Sequence, residues 1–255
     1  MPIEIRQFPC LSDNYGFLLR DQTTGAVATI DTPDTTAINE ELEKAGWSLT
    51  HIFNTHHHWD HAGGNLALKE KWHCEIVGPK NEADRIPGLD RAVGEGDIVA
   101  LGESRANIHD TPGHTSGHII YHFTDDQAAF VGDTIFALGC GRLFEGTPAQ
   151  MWASLNKIAV MPAETKLYCA HEYTQANAAF ALTVDPMNDA LKKRTAEINK
   201  LRADGEPTVP TNVAIELATN PFMRAEDAQL QAALGLSGAD AVEVFAETRK
   251  RKDNF

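Results

Sequence analysis

Thr55-His-His-His-Trp-Asp-His-Ala-Gly-Gly-Asn65 packs four potential metal ligands, His56, His58, Asp60 and His61, into one short stretch. In extended backbone, alternate side chains share a direction, so His56 and His58 point together while the adjacent Asp60 and His61 point apart. Such a divergent set suits two ions better than one. A tag-like histidine tract would be terminal and would lack the Asp, the Trp and the apolar His51–Asn54 run before it. Three more donors lie far downstream, each at an expected strand end or in the loop following it. His114 stands in Thr111-Pro-Gly-His-Thr-Ser-Gly-His118, Asp133 in Phe130-Val-Gly-Asp-Thr134, and His171 in Tyr168-Cys-Ala-His-Glu-Tyr173. The combined set fills two sites of three protein ligands each plus one bridging carboxylate, and leaves positions for water. These donor types suit zinc, iron or manganese alike.

The elements that must carry these residues can be read from periodicity. His51–Asn54 reads as a buried strand delivering the ligand stretch to a turn, and Asn65–Trp72 reads as the helix after it. Strands are expected over Pro2–Phe8, Tyr15–Arg20 and Ala26–Asp31, with a hairpin turn at Asp21–Gly25, and a helix over Pro33–Gly46 that stops at glycine. Further strands are expected at Cys74–Val77, Asp97–Leu101, Ala106–Asp110, His118–Phe123, Gln127–Val131 and Lys166–Cys169, with a helix at Pro148–Ala159. Arg85–Gly96, rich in Pro and Gly, reads as a loop. After Glu172 no strand pattern stands out; Tyr173–Thr183, Asn188–Ala203, Arg224–Leu234 and Ala239–Lys250 read as helices broken by prolines. Strands in two groups with helices between them predict two sheets packed face to face with helices outside, followed by a helical domain.

The chain has 255 residues, 42% hydrophobic and 23% charged, which is ordinary for a globular protein with a sizeable core. No apolar run approaches the roughly 18–20 residues of a membrane span, and the start shows no basic segment followed by an apolar core. A net charge of −14 disfavours nucleic acid and requires local cations for any anionic substrate. Cys10, Cys74, Cys140 and Cys169 are scattered without metal-site spacing and read as buried reduced thiols of a cytoplasmic protein.

The Thr55–Asn65 stretch resembles the signature of the metallo-β-lactamase fold superfamily, and within it the hydroxyacylglutathione hydrolases (glyoxalase II). Gly139-Cys-Gly-Arg-Leu-Phe-Glu-Gly146, Cys169-Ala-His-Glu-Tyr-Thr174 and Arg249-Lys-Arg-Lys-Asp-Asn-Phe255 are similar to further segments of that family, of the bacterial type. The resemblance implies an α+β fold, an αβ/βα four-layer sandwich of two packed mixed sheets with helices outside. Residues 1–172 would form the catalytic domain and 173–255 a C-terminal helical substrate-binding domain. It implies that His56, His58 and His114 hold one divalent ion, that Asp60, His61 and His171 hold the other, zinc before iron or manganese, and that Asp133 bridges them. The reaction it implies is hydrolysis of S-D-lactoylglutathione and related 2-hydroxyacyl thioesters to glutathione and a 2-hydroxy acid. A metal-bridging hydroxide held at Asp60 and Asp133 would be the nucleophile, and the step is the second of methylglyoxal detoxification. Glutathione contacts would fall to Arg142, Phe144, Tyr173, Arg249 and Lys252, with Arg142 and Phe144 standing where eukaryotic members carry Lys and Tyr. A monomer acting on a small-molecule thioester, without nucleic acid or membrane, is expected.

Other residues carry alternatives. On residue type alone, Arg249–Lys252 reads as a solvated basic tail, and only the resemblance turns it toward carboxylates. Asp31 ends a strand; the resemblance implies a support for the metal site, and as a bare sequence feature it reads equally as a turn residue. His57 alternates away from its neighbours and reads as supporting them. His51, His73, His109, His118 and His122 fall in or beside strands and read as structural. The rival classes are an iron-dependent persulfide dioxygenase, which leaves the basic C-terminal arm unexplained, a metal-dependent nuclease, which the acidic balance disfavours, and a non-catalytic metal scaffold, for which cysteines would be the usual ligands.

Overall fold

The structure is a computed structural model and describes residues 3–255. It divides into two compact units, one running to Asp110 and resuming over Ser116–Gly132, the other comprising Thr111–Thr115 and Asp133–Phe255.

The first unit is built on six strands in sequence order: β1 (Glu4–Cys10), β2 (Asn14–Arg20), β3 (Val27–Ile30), β4 (His51–Phe53), β5 (Glu75–Pro79) and β6 (Arg91–Val93). β1 to β3 are antiparallel neighbours, and β3 to β6 run parallel. Parallel strands need crossovers. The first is α1 (Thr35–Ala45), whose amides Thr36 and Ala37 donate to the Asp34 side chain and whose last turn ends on left-handed Gly46 (φ 67°). The second carries α2 (Trp59–Ala62) and α3 (Asn65–Trp72). One face of the sheet buries Leu18, Ile52 and Ile76 with Ile38 and Leu42 of α1 and Leu68 of α3. The opposite face meets a second, antiparallel run of β7 (Ile98–Leu101), β8 (Ser104–Asp110), β9 (Ile119–Phe123) and β10 (Ala128–Gly132). There the Phe53 and Tyr121 rings stack at 5.2 Å, and Phe17 meets Phe130 edge-on at 5.6 Å. Burial on both faces explains why β2 and β4 read as continuous apolar runs rather than alternating ones.

The second unit holds the hairpin of β11 (Ile135–Phe136) and β12 (Gly139–Cys140), α4 (Pro148–Ala159), β13 (Lys166–Cys169), α5 (Thr174–Val184), α6 (Asp189–Ala203), β14 (Thr211–Asn212), α7 (Val213–Thr219), α8 (Ala228–Leu234) and α9 (Ala241–Asp253). α4 opens on a reciprocal Thr147–Gln150 capping box with Pro148 in its first turn. Leu138, Ala178, Ala181, Leu191 and Ile198 form a core between α5 and α6.

The fold class is α+β, as expected, and most elements lie where periodicity put them. Pro2 of the expected first strand lies outside the described residues; Glu4–Phe8 belongs to β1, which begins after Ile3 and extends to Cys10. Two expectations are corrected. Arg85–Gly96 is not all loop, because Arg91–Val93 pairs parallel with Val77–Pro79. Strand also occurs after Cys169, where Thr211 and Asn212 pair with Leu167 and Lys166. Both strands are too short to show alternation, and their partners, not their side chains, define them. The helix expected over Arg224–Leu234 starts later, at Ala228, where Asp227 caps it.

The β2–β3 turn is tied to the β7–β8 turn by buried Asp21, which accepts from Thr24 N and Oγ1 (both 2.7 Å) and from Ser104 N (3.2 Å) and Oγ (2.9 Å). Burial alone would raise its pKa, but these hydrogen bonds outweigh it and lower the carboxyl to about 2. The stability Asp21 contributes is therefore present above its unfolded pKa, near 4, and is lost as pH falls toward 2. Asp21→Ala should lower Tm by several degrees at neutral pH, the equivalent of about 1–3 kcal/mol. The gap from the parent should close in acid thermal melts. An unchanged Tm at pH 7 would remove Asp21 from the stabilising contacts.

Candidate active site

β3 and β4 are parallel neighbours with Ile30 opposite Phe53, so the residues leaving them emerge side by side. Asp31, at φ 56°, donates its amide to the Phe53 carbonyl (3.0 Å). Its Oδ1 accepts the Thr55 amide (2.8 Å), and its Oδ2 accepts the Thr55 hydroxyl (2.8 Å) and lies 2.8 Å from His61 Nδ1. A carboxylate can only accept, so His61 carries its proton on Nδ1 and keeps a lone pair on Nε2, which lies 3.4 Å from Asp60 Oδ2. The Thr55 hydroxyl spends its one proton on Asp31, so its 3.1 Å contact with His56 Nδ1 requires that nitrogen to donate. His56 Nε2 is then a lone-pair donor as well. The His56 ring lies 4.6 Å from His58, 4.0 Å from His61 and 4.8 Å from His118. Asn14 donates to Asp60 Oδ2 (3.1 Å), and Asn54 holds the His61 carbonyl (2.9 Å). His56 and His61 are buried, whereas Asp60 is half-buried.

The second unit repeats this logic. The Arg142 carbonyl accepts from His114 Nδ1 (2.9 Å), which again leaves Nε2 as the lone-pair atom. Asp133 places Oδ2 3.3 Å from His114 Nε2 and Oδ1 3.5 Å from His171 Nε2, one carboxylate oxygen toward each imidazole. Gly141 is required beside it, since a Cβ there would lie 2.0 Å from the Asp133 carbonyl oxygen. His and Asp groups able to hold a metal ion are thus present. His56, His58, Asp60 and His61 of the first unit and His114, Asp133 and His171 of the second belong to them. Lone pairs on Nε2 in buried surroundings, with carboxylates alongside, fit a divalent ion of the zinc, iron or manganese type.

Aromatic groups of the second unit lie against His171 and His114, and cationic groups lie in the same unit. The Tyr173 ring stacks on His171 at 4.8 Å and 3°, and Phe144, 62% exposed, meets His114 edge-on at 5.2 Å. Arg142 is exposed. Arg249 is buried, paired with Asp253 (2.8 Å), and donates to the Cys140 carbonyl (3.0 Å). The Lys252 ammonium lies over the Phe180 and Phe255 rings. Burial pushes its pKa down, and the neighbouring Arg249 and Arg142 push the same way, so three cations converge here. Burial holds the Cys140 thiol up at about 11, which makes it unreactive despite Arg249 beside it.

Residues 17–171 match the metallo-beta-lactamase superfamily, and residues 172–255 match the hydroxyacylglutathione hydrolase C-terminus. A hydroxyacylglutathione hydrolase of Maricaulis maris is 56% identical over 98% of this chain and 98% of its own length. One of Rhizobium johnstonii is 56% identical over 100% of this chain and 99% of its own. The chain belongs to the hydroxyacylglutathione hydrolase family. Among solved structures, ETHE1 from Myxococcus xanthus is similar, with a TM-score of 0.69 and 25% identity over 97% of this chain and 90% of its own. The metallo-β-lactamase fold expected from the signature stretch is therefore the fold of this chain.

Within this hydroxyacylglutathione hydrolase frame, the residues that hold the His and Asp groups in place are more telling than those groups themselves. Asp31, which read equally as a turn residue, holds Thr55 and His61 at once. His57 does turn from its neighbours, toward Glu82 Oε2 (2.7 Å). Asn14 and Glu82 gave no signal in the sequence, because nothing in their local pattern says which strand exit or loop they will face. His51 and His109 lie 3.6 Å from Glu75 and Glu95 respectively, and His73 ends α3 in a left-handed conformation (φ 55°).

Proposed function

We propose that the chain hydrolyses S-D-lactoylglutathione and related S-(2-hydroxyacyl)glutathiones to glutathione and the 2-hydroxy acid. The observation that carries this reading is identity above one half, over essentially full length, to proteins named hydroxyacylglutathione hydrolase. Purified protein should cleave the thioester bond of S-D-lactoylglutathione, followed by loss of thioester absorbance. Absence of cleavage in metal-replete protein would sink the reading.

Two divalent ions are proposed, zinc first, with iron or manganese as alternatives that elemental analysis decides. His56, His58 and His114 would hold one, and Asp60, His61 and His171 the other, with Asp133 between them. Supporting this, the first unit brings His56, His58, Asp60 and His61, and the second His114, Asp133 and His171, all among the His and Asp residues able to hold a metal ion. When bound, such ions acidify water and polarise a thioester carbonyl. The protein's own part is to fix the tautomers: Asp31, the Thr55 hydroxyl and the Arg142 carbonyl each hold an Nδ1–H and so present Nε2. The leaving thiolate has a conjugate acid of pKa about 8.5, so no dedicated proton donor is required of the chain.

Residues 1–172 would carry the chemistry and residues 173–255 the glutathione half. Its carboxylates would meet Arg142, Arg249 and Lys252, and its peptide body Phe144 and Tyr173. In a protein of net charge −14, these gathered cations are the feature that admits an anionic substrate. Four buried, unpaired cysteines favour a reducing compartment, the cytoplasm, and no helix among the described residues is long and apolar enough to cross a membrane. A monomer completes the reading.

Arg142→Gln tests the substrate contact. Its backbone carbonyl still serves His114, so only the guanidinium is removed. KM for a glutathione thioester should rise roughly 10-fold or more, as expected on losing one charge-assisted hydrogen bond. A neutral thioester without peptide carboxylates should be hydrolysed as before. An equal loss on both substrates would make Arg142 a support of the His114 loop instead.

A further inference from the structure

We propose that Glu82 is a positioning residue that sets the ligand-bearing backbone before any metal binds, an inference that rests on the metal-site reading above. Glu82 lies in a short 3-10 segment, Lys80–Arg85, and is 2% exposed. Its side chain accepts three hydrogen bonds, all within the first unit. Oε2 takes the His57 amide (2.9 Å) and faces His57 Nδ1 (2.7 Å), and Oε1 takes the Gly117 amide (2.8 Å). Arg85 Nη2 contacts the other ring nitrogen of His57, Nε2. A guanidinium only donates, so Nε2 accepts and Nδ1–H points at Glu82. Glu82, His57 and Arg85 therefore form an alternating chain of acceptor and donor with no mismatched contact.

The placement of the two amides gives this chain its purpose. His57 stands between His56 and His58, and Gly117 follows His114 by three residues and precedes His118. Turning the His57 ring onto Glu82 sends the flanking histidines the other way, and clamping the His57 amide fixes the peptide that joins them. Gly117 comes so close that a Cβ there would lie 2.6 Å from Glu82 Cγ and 3.0 Å from the Asn81 carbonyl carbon. A buried carboxylate is tolerated only when hydrogen-bonded, and here the bonds reach two separate ligand-bearing segments. Neither His57 nor Glu82 needs to touch an ion for this to act.

Glu82→Gln is the decisive variant. One of its two terminal atoms becomes a donor, so it faces either the His57 pair or the Gly117 amide with N–H against N–H. Two measurements on metal-free protein decide the matter: zinc affinity by chelator competition, and hydrogen exchange at the His57 and Gly117 amides. Zinc affinity should fall about 10–100-fold, the usual effect of removing a group that orients ligands. Both amides should exchange faster by a larger factor than other amides of the first unit, beyond the few degrees of Tm that a buried N–H without an acceptor costs. Weaker zinc binding with unchanged exchange, or faster exchange with zinc affinity within twofold of the parent, would overturn the proposal. If Glu82→Gln does not fold, Glu82→Asp, charged but one carbon short of spanning both segments, gives the same two readouts. A parent that binds no zinc would instead sink the metal reading, and the exchange rates alone would then decide whether Glu82 holds the two segments.

Discussion

Asp133→Ala should abolish thioester hydrolysis, lowering kcat/KM by about 10³-fold or more, which corresponds to roughly 4 kcal/mol of transition-state stabilisation. Metal should be lost with the activity. The expectation follows from a carboxylate whose two oxygens face different imidazoles, Oδ2 toward His114 and Oδ1 toward His171. A histidine ring could not replace it, because one of its nitrogens must donate while the other ligates. Asp133→Asn keeps the shape but turns one oxygen into a donor, and should fail nearly as completely. Elemental analysis beside the rate measurement is the check. A variant retaining both ions and the parent rate would remove Asp133 from the centre.

The His and Asp residues able to hold a metal ion stood out in the sequence because metal chemistry restricts residue type and because the downstream ones lie at or just past a strand exit. His114 lies beyond β8, Asp133 directly follows β10, and His171 lies two residues beyond β13. The architecture was legible for a related reason: buried strands of four to seven residues and glycine-stopped helices announce themselves locally, as α1 does with Asp34 and Gly46. What did not show was everything defined by a partner. β6 and β14 exist only through pairing with β5 and β13, and neither has the length to display a period. Glu82 looks like any acidic residue of a surface turn, yet it is buried because two distant amides require it. Arg249 read as either a solvated tail or a carboxylate contact; its burial against Asp253 and the Cys140 carbonyl is a tertiary fact that no basic run encodes.

Asp31→Ala should have the next largest effect, and its pattern should differ from that of Asp133→Ala. Asp31 accepts from three donors, the Thr55 amide, the Thr55 hydroxyl and His61 Nδ1. Removing it leaves the Thr55 amide buried without its acceptor, at about 1–3 kcal/mol of stability, and lets the His61 ring rotate or change tautomer. The His61 side should suffer most, because the Thr55 hydroxyl, freed of Asp31, can still accept from His56 Nδ1. The ion proposed for Asp60, His61 and His171 should therefore weaken about 10–100-fold while the other is held more firmly. Metal content after mild chelation should fall toward one ion per chain rather than none, and activity should recover partly with added zinc. Asp31→Asn should behave alike, because its amide nitrogen must face at least one of three donors. Full occupancy and the parent rate in Asp31→Ala would return Asp31 to the role of a turn residue.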